Sequence, residues 1–198
     1  MNSVSLVQKS YNIVNQMLLD REYDTNLHEL SISDIKKKIL NNDLCFTFKN
    51  TNNKLKVIYL LSRIKPSTIK NMIDLLYEKE LEIKDEIIFI TKESFPSTID
   101  KMIDDYYNDK NYYIQIFNLN NLQFNITKHD FVPKHKVLKK KEAEDIINKY
   151  NLNSRYQLPF ILKKDAIAKY YGMKSGDICE ITRNSETSGK YVSYRCCK

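Results

Sequence analysis

Asp74, Glu82 and Lys84 stand closest in this chain to a residue set with phosphodiester chemistry. Carboxylates can hold a divalent cation, and a lysine two positions from one of them can stabilise charge near an attacking water. That chemistry needs the Glu-x-Lys triplet on a strand beside its aspartate. Here the spacing puts Asp74 mid-helix and Glu82 ahead of a strand that begins at Glu86. A chain with 32 Lys+Arg and 25 Asp+Glu also produces such triplets by chance. His129 and His135 flank Pro133 with no third ligand spaced to join them, so they read as surface-loop residues rather than metal ligands. The three glycines, Gly172, Gly176 and Gly189, form neither a G-x-S-x-G elbow nor a phosphate-binding loop. Cys45 and Cys179 stand alone and Cys196 and Cys197 are adjacent, without a C-x-x-C pair, so reduced, partly buried thiols are expected. Neither a catalytic group nor a metal or cofactor is expected.

Binding chemistry is better represented. Pro66-Ser67-Thr68 and Pro96-Ser97-Thr98 both read as helix starts, whose free amides and positive dipole end suit an anion such as a DNA phosphate; ordinary N-capping is the alternative reading. Lys134, Lys136, Lys139, Lys140 and Lys141 form a basic cluster open to nucleic acid, to solvent or to an acidic protein partner. Tyr170, Tyr171, Tyr191 and Tyr194 crowd the C-terminal part, as stacking platforms or as interface and core rings.

The elements that must position these residues fall into two sets. Residues 1–130 carry 17 basic and 18 acidic side chains, and residues 131–198 carry 15 and 7, so the formal charge of +7 sits in the second part. All three glycines lie there too. Pro133 removes a backbone donor and disfavours helix at Val132, which places a domain boundary between 130 and 131. With 42% hydrophobic residues and a mean hydropathy of -0.52, the chain reads as folded and soluble. Its longest uncharged stretch, Asn111 to Thr127, holds five asparagines, and MNSVSLVQKS lacks a basic flank before an apolar block. No membrane span, no secretory signal and an intracellular location are expected.

In the first domain, Val4, Val7, Tyr11, Val14 and Leu18 make one helical stripe. A short helix follows Ser33, with Ile35, Ile39 and Leu40 inward. Leu44–Phe48 and Leu55–Leu60 flank a polar turn and read as a hairpin. An internal repeat follows at an offset of 30 residues: Pro66-Ser67-Thr68-Ile69 and Met72-Ile73-Asp74 recur as Pro96-Ser97-Thr98-Ile99 and Met102-Ile103-Asp104. Val57–Leu60 likewise aligns with Ile87–Ile90. Each copy reads as strand, loop and helix with Ser or Thr available as cap, which implies partly parallel pairing. Tyr112–Phe117 and Leu122–Ile126 complete the expected strands. The second domain reads as a helix over 139–150, a helix over 163–171 stopped by Gly172, and antiparallel strands over 178–182 and 190–194. The expected class is α+β: an N-terminal α/β domain with a small mixed sheet, and a small C-terminal α+β domain.

Three segments carry a family resemblance. Ile126-Thr127-Lys128-His129-Asp130-Phe131-Val132-Pro133-Lys134-His135 looks like a linker, and Leu158-Pro159 followed by Asp165-Ala166-Ile167-Ala168-Lys169-Tyr170-Tyr171-Gly172 like a helix signature. Arg183-Asn184-Ser185-Glu186-Thr187-Ser188-Gly189-Lys190-Tyr191-Val192-Ser193-Tyr194-Arg195 matches an R-x-S-E-T-A-G-x-Y-x-x-Y-R ending. These residues resemble the fifth subunit shared by the three eukaryotic nuclear RNA polymerases, whose C-terminal half corresponds to a small subunit of the archaeal polymerase. Phe95-Pro96-Ser97-Thr98 resembles the family's T-P-S-A element, with Phe95 and Thr98 departing from it and Ala166 standing where the family has Pro.

The resemblance implies a non-catalytic subunit of a DNA-directed RNA polymerase. Its N-terminal domain would form part of the lower jaw, with Lys92, Pro96, Ser97 and Lys101 nearest downstream double-stranded DNA. Its C-terminal domain would dock on the largest subunit, near the small sixth subunit. The implied interface is Tyr170, Tyr171, Arg183, Ser185, Glu186, Thr187, Gly189, Tyr191, Tyr194 and Arg195. No membrane or small-molecule partner is implied. Lys, Asn and Ile number 27, 20 and 23, an A/T-rich coding bias. A large DNA virus carrying its own polymerase is the expected source, and an A/T-rich protist the second. The corresponding locations are the virion and host cytoplasm, or the nucleus. The alternatives are a free-standing DNA-binding transcription factor and a metal-dependent nuclease using Asp74, Glu82 and Lys84.

Overall fold

A computed structural model describes the chain apart from residues 1–2, 26–30, 42, 94–95 and 186–188. It divides into two compact units, Met1–Phe124 and Asn125–Lys198.

The first unit opens with helix α1 (Ser3–Asp20), which buries Val7, Tyr11, Val14 and Leu18. Helix α2 (Ile32–Leu40) is capped by Ser31 rather than begun after Ser33. Its inward side is Ile35, at 0% exposure, while Leu40 points to solvent at 82%. The second helix is therefore anchored by one residue, because nine residues make too few turns for a wide stripe. Strands β1 (Cys45–Lys49) and β2 (Lys54–Leu60) form the antiparallel hairpin. Then come helix α3 (Pro66–Lys79), strand β3 (Glu86–Thr91), helix α4 (Ser97–Lys110) and strand β4 (Tyr113–Asn118). The sheet order is β1-β2-β3-β4, with β2, β3 and β4 parallel. Every residue of β3 is buried, as a strand covered on both faces requires.

One face of this sheet carries Ile58, Leu60, Ile87, Phe89 and Ile114, packed with Ile69 and Ile73 of α3 and Ile99 and Tyr106 of α4. The opposite face meets α1: Ser10 Oγ lies 3.2 Å from the Tyr59 hydroxyl, and the Tyr11 ring is 4.9 Å from that of Phe46. The two copies of the repeat thus lay their helices on the same side of neighbouring parallel strands. Neither helix uses its Ser or Thr as a cap. The N-cap of α3 is Lys65, with Pro66 next, and that of α4 is Pro96. Proline sets φ for helix entry in both, so a hydroxyl is not needed to start the turn.

The segment Leu122–Ile126 is not a strand. Residues Leu119–Leu122 and Ile126–Lys128 are 3-10 turns, in which Asn118 Oδ1 accepts from the Asn120 amide at 2.9 Å and Asn125 Oδ1 from the Thr127 amide at 3.0 Å. Asparagine side chains here close local turns in competition with a ladder.

The second unit contains β5 (Lys134–Val137), α5 (Lys140–Lys149), β6 (Phe160–Ile161), α6 (Ala166–Tyr170), β7 (Ile178–Ser185) and β8 (Gly189–Cys197). The sheet order is β5-β7-β8-β6, with only the β6–β8 pair parallel. Helix α6 starts three residues later than the spacing implied, because Asp165 caps it, accepting from the Ile167 amide at 2.8 Å. Its core joins Ile161, Ala168, Met173, Cys179, Ile181 and Cys197. Strands β5 and β6 escape a sequence reading, being four and two residues long.

Candidate nucleic-acid and subunit interfaces

In the first unit, the parallel strands β2 and β3 end where α3 and α4 begin. A depression of about 540 Å³ opens there, lined by Ser62, Arg63, Lys65, Pro66, Glu93 and Pro96 among others. This is the carboxyl end of a parallel sheet, where helix starts present unpaired amides. Lys92, Pro96, Ser97 and Lys101 are all exposed around this end. The charge is mixed: Arg63 lies 3.7 Å from Glu93, both exposed, and Asp100 sits in the first turn of α4. Thr91 is buried, its hydroxyl donating to the Glu93 carbonyl at 2.9 Å, which fixes the exit from β3.

Asp74, Glu82 and Lys84 are not drawn into one site. Asp74 on α3 accepts from the Tyr106 hydroxyl at 2.8 Å and from Lys110 at 3.4 Å. Burial, and then the Asp74 carboxylate, hold the Tyr106 phenol above its ordinary range. Glu82 and Lys84 lie in the turn before β3, paired with each other at 3.1 Å, and line a different depression from Asp74. Among the described residues, no group of three or more His, Cys, Asp or Glu is arranged to hold a metal ion.

In the second unit, Tyr170 is buried at 3% exposure and receives a hydrogen bond on its hydroxyl from Asn125 Nδ2 at 3.1 Å. Its ring is core. Tyr171, whose ring lies 5.2 Å from that of Tyr170, keeps partial exposure. Arg183 and Tyr191 are cross-strand partners and both are exposed. Tyr194 donates to Glu180 at 3.2 Å and packs against Tyr150, so it is held within the unit. Arg195 donates to the Phe160 carbonyl at 3.2 Å. Ser185 pairs with Gly189, whose φ is +72°. Glu186 and Thr187 lie outside the described residues.

Sequence reasoning missed Phe160 and Leu162, exposed at 42% and 64% on either side of buried Ile161. Their alternation is the available signal, shortened by Pro159. Cys179 and Cys197 sit in the core with thiols pushed up to about 11 by burial, and Cys45, Cys179, Cys196 and Cys197 are all unbridged.

These features define a two-unit α+β chain with exposed charged and aromatic surfaces and no metal-binding cluster among the described residues. Residues 124–197 match the family model for RNA polymerase Rpb5, C-terminal domain. Over 195 residues, 92% of each chain, the sequence is 27% identical to the DNA-directed RNA polymerases I, II, and III subunit rpabc1 of Dictyostelium discoideum. Over 83 residues, 42% of this chain and 38% of the relative, it is 37% identical to the DNA-directed RNA polymerases IV and V subunit 5B of Arabidopsis thaliana. Homology to eukaryotic RNA polymerase subunit 5 therefore extends along the chain, and the family-model match lies in its C-terminal part.

Proposed function

We propose that this chain is a non-catalytic subunit of a DNA-directed RNA polymerase. The observation that carries this is the family-model match over residues 124–197, joined to similarity with a polymerase subunit over 92% of the chain. In this reading the C-terminal domain, residues 131–198, docks on the largest subunit, near the small sixth subunit. The exposure of Arg183, Gly189 and Tyr191 supports that role. The N-terminal domain, residues 1–130, forms part of the lower jaw, and the exposed Lys92, Pro96, Ser97 and Lys101 beside two uncapped helix starts support proximity to downstream DNA. The A/T-rich coding bias favours a large DNA virus as source, with assembly in virion and host cytoplasm; a cellular source places the protein in the nucleus.

Tagging the protein in its native source and identifying co-purifying chains tests this reading. Two polymerase-sized partners are expected. Recovery on DNA without such partners would favour a free-standing transcription factor and overturn the subunit role.

A further inference from the structure

The hairpin β7–β8 leaves one sheet edge open. The ladder runs without interruption from the Ile178–Cys196 pair to the Ser185–Gly189 pair, so alternation of the backbone groups along β8 is regular. The end of β8 sets the direction. The amides of Cys196 and Lys198 point away from β7 and donate to the carbonyls of Pro159 and Ile161, while the Cys197 amide points inward to the Asp177 carbonyl. By the same two-residue alternation, the amides and carbonyls of Lys190, Val192 and Tyr194 face outward. Strand β6 covers only Cys196 and Cys197. Upstream of Phe160 the chain turns away, the Leu158 amide bonding back to the Arg155 carbonyl. Among the described residues, the outward groups from Lys190 to Tyr194 meet no backbone partner.

Folded proteins blunt such edges with proline, lysine or very short strands. The opposite outer strand of this sheet does so: β5 is four residues long, follows Pro133, and presents exposed Lys134 and Lys136. Strand β8 has nine residues, no proline and no bulge, and exposes Tyr191 at 56% and Val192 at 41%. Only Lys190 guards it, at one end.

We propose that this edge is a strand-addition site, on which an extended acidic segment of the polymerase's largest subunit pairs with Lys190–Tyr194. The inference rests on the subunit reading above and specifies how its C-terminal domain would dock. The geometry sets the chemistry of the incoming strand. On one face its side chains would lie beside Val192 and Tyr194, and apolar residues fit there. On the other they would lie beside Tyr191 and Arg195. The Arg195 guanidinium already reaches over this edge to the Phe160 carbonyl, and Lys198 sits 4.9 Å from the Phe160 ring. With Lys190 at the far end, cations bracket the open stretch, and residues 131–198 carry 15 basic against 7 acidic side chains. Backbone pairing would supply affinity, and the alternation of apolar and acidic residues would supply specificity.

The test co-expresses the full-length chain with the tagged largest subunit from the same source. Val192→Pro removes an outward amide that the hairpin does not use, and an edge strand tolerates proline at such a position. Val192→Thr keeps the amide and serves as its control; Lys190→Pro, at the same parity, is the second variant. Melting temperatures of each chain alone report whether the hairpin survives. Wild type and Val192→Thr are expected to be recovered equally, with either proline variant reduced about tenfold or more, since several paired groups are lost together. Hydrogen exchange of the segment containing Val192 and Tyr194 should slow in the complex. Equal recovery of folded proline variants, with unchanged exchange, would overturn strand addition while leaving the subunit reading intact. If wild type itself fails to bind the largest subunit, the subunit reading fails and this inference with it. A dimer of the wild-type chain alone that Val192→Pro dissolves would assign the edge to a second copy and overturn the proposal.

Discussion

The phenol of Tyr106 on α4 donates a 2.8 Å hydrogen bond to the carboxylate of Asp74 on α3, which joins the helices of the two repeated strand–helix units. Lys110 reaches the same carboxylate at 3.4 Å and lies over the rings of Tyr106 and Tyr112, and Tyr112 stacks on Tyr77 with centroids 3.6 Å apart. Asp74 is thus an anchor between elements. Tyr106→Phe keeps the ring and deletes a part-buried hydrogen bond to a charged acceptor, so a destabilisation of about 1–2 kcal/mol is expected. Denaturant titration of wild type and variant checks it; an unchanged midpoint would mean that the aromatic stack alone holds the helices.

No hydrolysis is expected from the isolated protein. Incubation with DNA and Mg²⁺ or Mn²⁺ should leave the substrate intact, with Glu82→Ala and Lys84→Ala indistinguishable from wild type. Cleavage that disappears in both variants would restore the nuclease reading that the Glu82–Lys84 pairing and the engagement of Asp74 oppose.

At Gly189 the cost of a side chain is conformational alone. Its φ is +72°, and a Cβ built there meets nothing within 4 Å. Gly189→Val should therefore lower stability by about 1–2 kcal/mol through the left-handed backbone. Gly189→Asn should cost clearly less, since asparagine tolerates that region. Equal melting temperatures for the two variants would show that the strand pair shifts to a different turn.

Alkaline pH should destabilise the chain. The buried thiols of Cys179 and Cys197 titrate near 11 in the fold, against a usual 9.0. Below pH 9 both folded and unfolded chains hold these protons. Between 9 and 11 the unfolded chain releases them first, so unfolding sheds protons and stability falls as pH rises. Tyr59, fully buried and held above its ordinary value chiefly by burial, extends the decline upward. Denaturation midpoints should be flat up to about pH 8.5 and then drop. The same thiols should alkylate slowly at neutral pH until the protein is unfolded.

Within polymerase, a crosslinker placed at position 97 should reach downstream duplex, whereas the isolated chain should bind DNA weakly. Replacing Lys92 and Lys101 with Glu should weaken DNA binding and make its salt dependence shallower, by about 0.9 in slope for each phosphate no longer neutralised. Labelling confined to protein neighbours would count against the jaw placement.

Periodicity and punctuation in the chain disclosed much of this architecture. The α1 stripe, the β1–β2 hairpin and the doubled Pro-Ser-Thr starts are visible because each depends on spacing within one segment, which hydrophobic burial and proline impose locally. The same local logic misleads at Leu122–Ile126, where apolar alternation imitates a strand while Asn118 and Asn125 close 3-10 turns. Other outcomes depend on contacts between distant segments. Tyr170 and Tyr171 are adjacent identical residues, yet the bond from Asn125 and the packing of α6 bury the first and leave the second partly open. Asp74 reads alike as a metal ligand or a surface acid until α4 brings Tyr106 to it. Strand β6, two residues long, has no period to detect; it exists because β8 offers it an edge, and where it stops is what leaves Lys190–Tyr194 open.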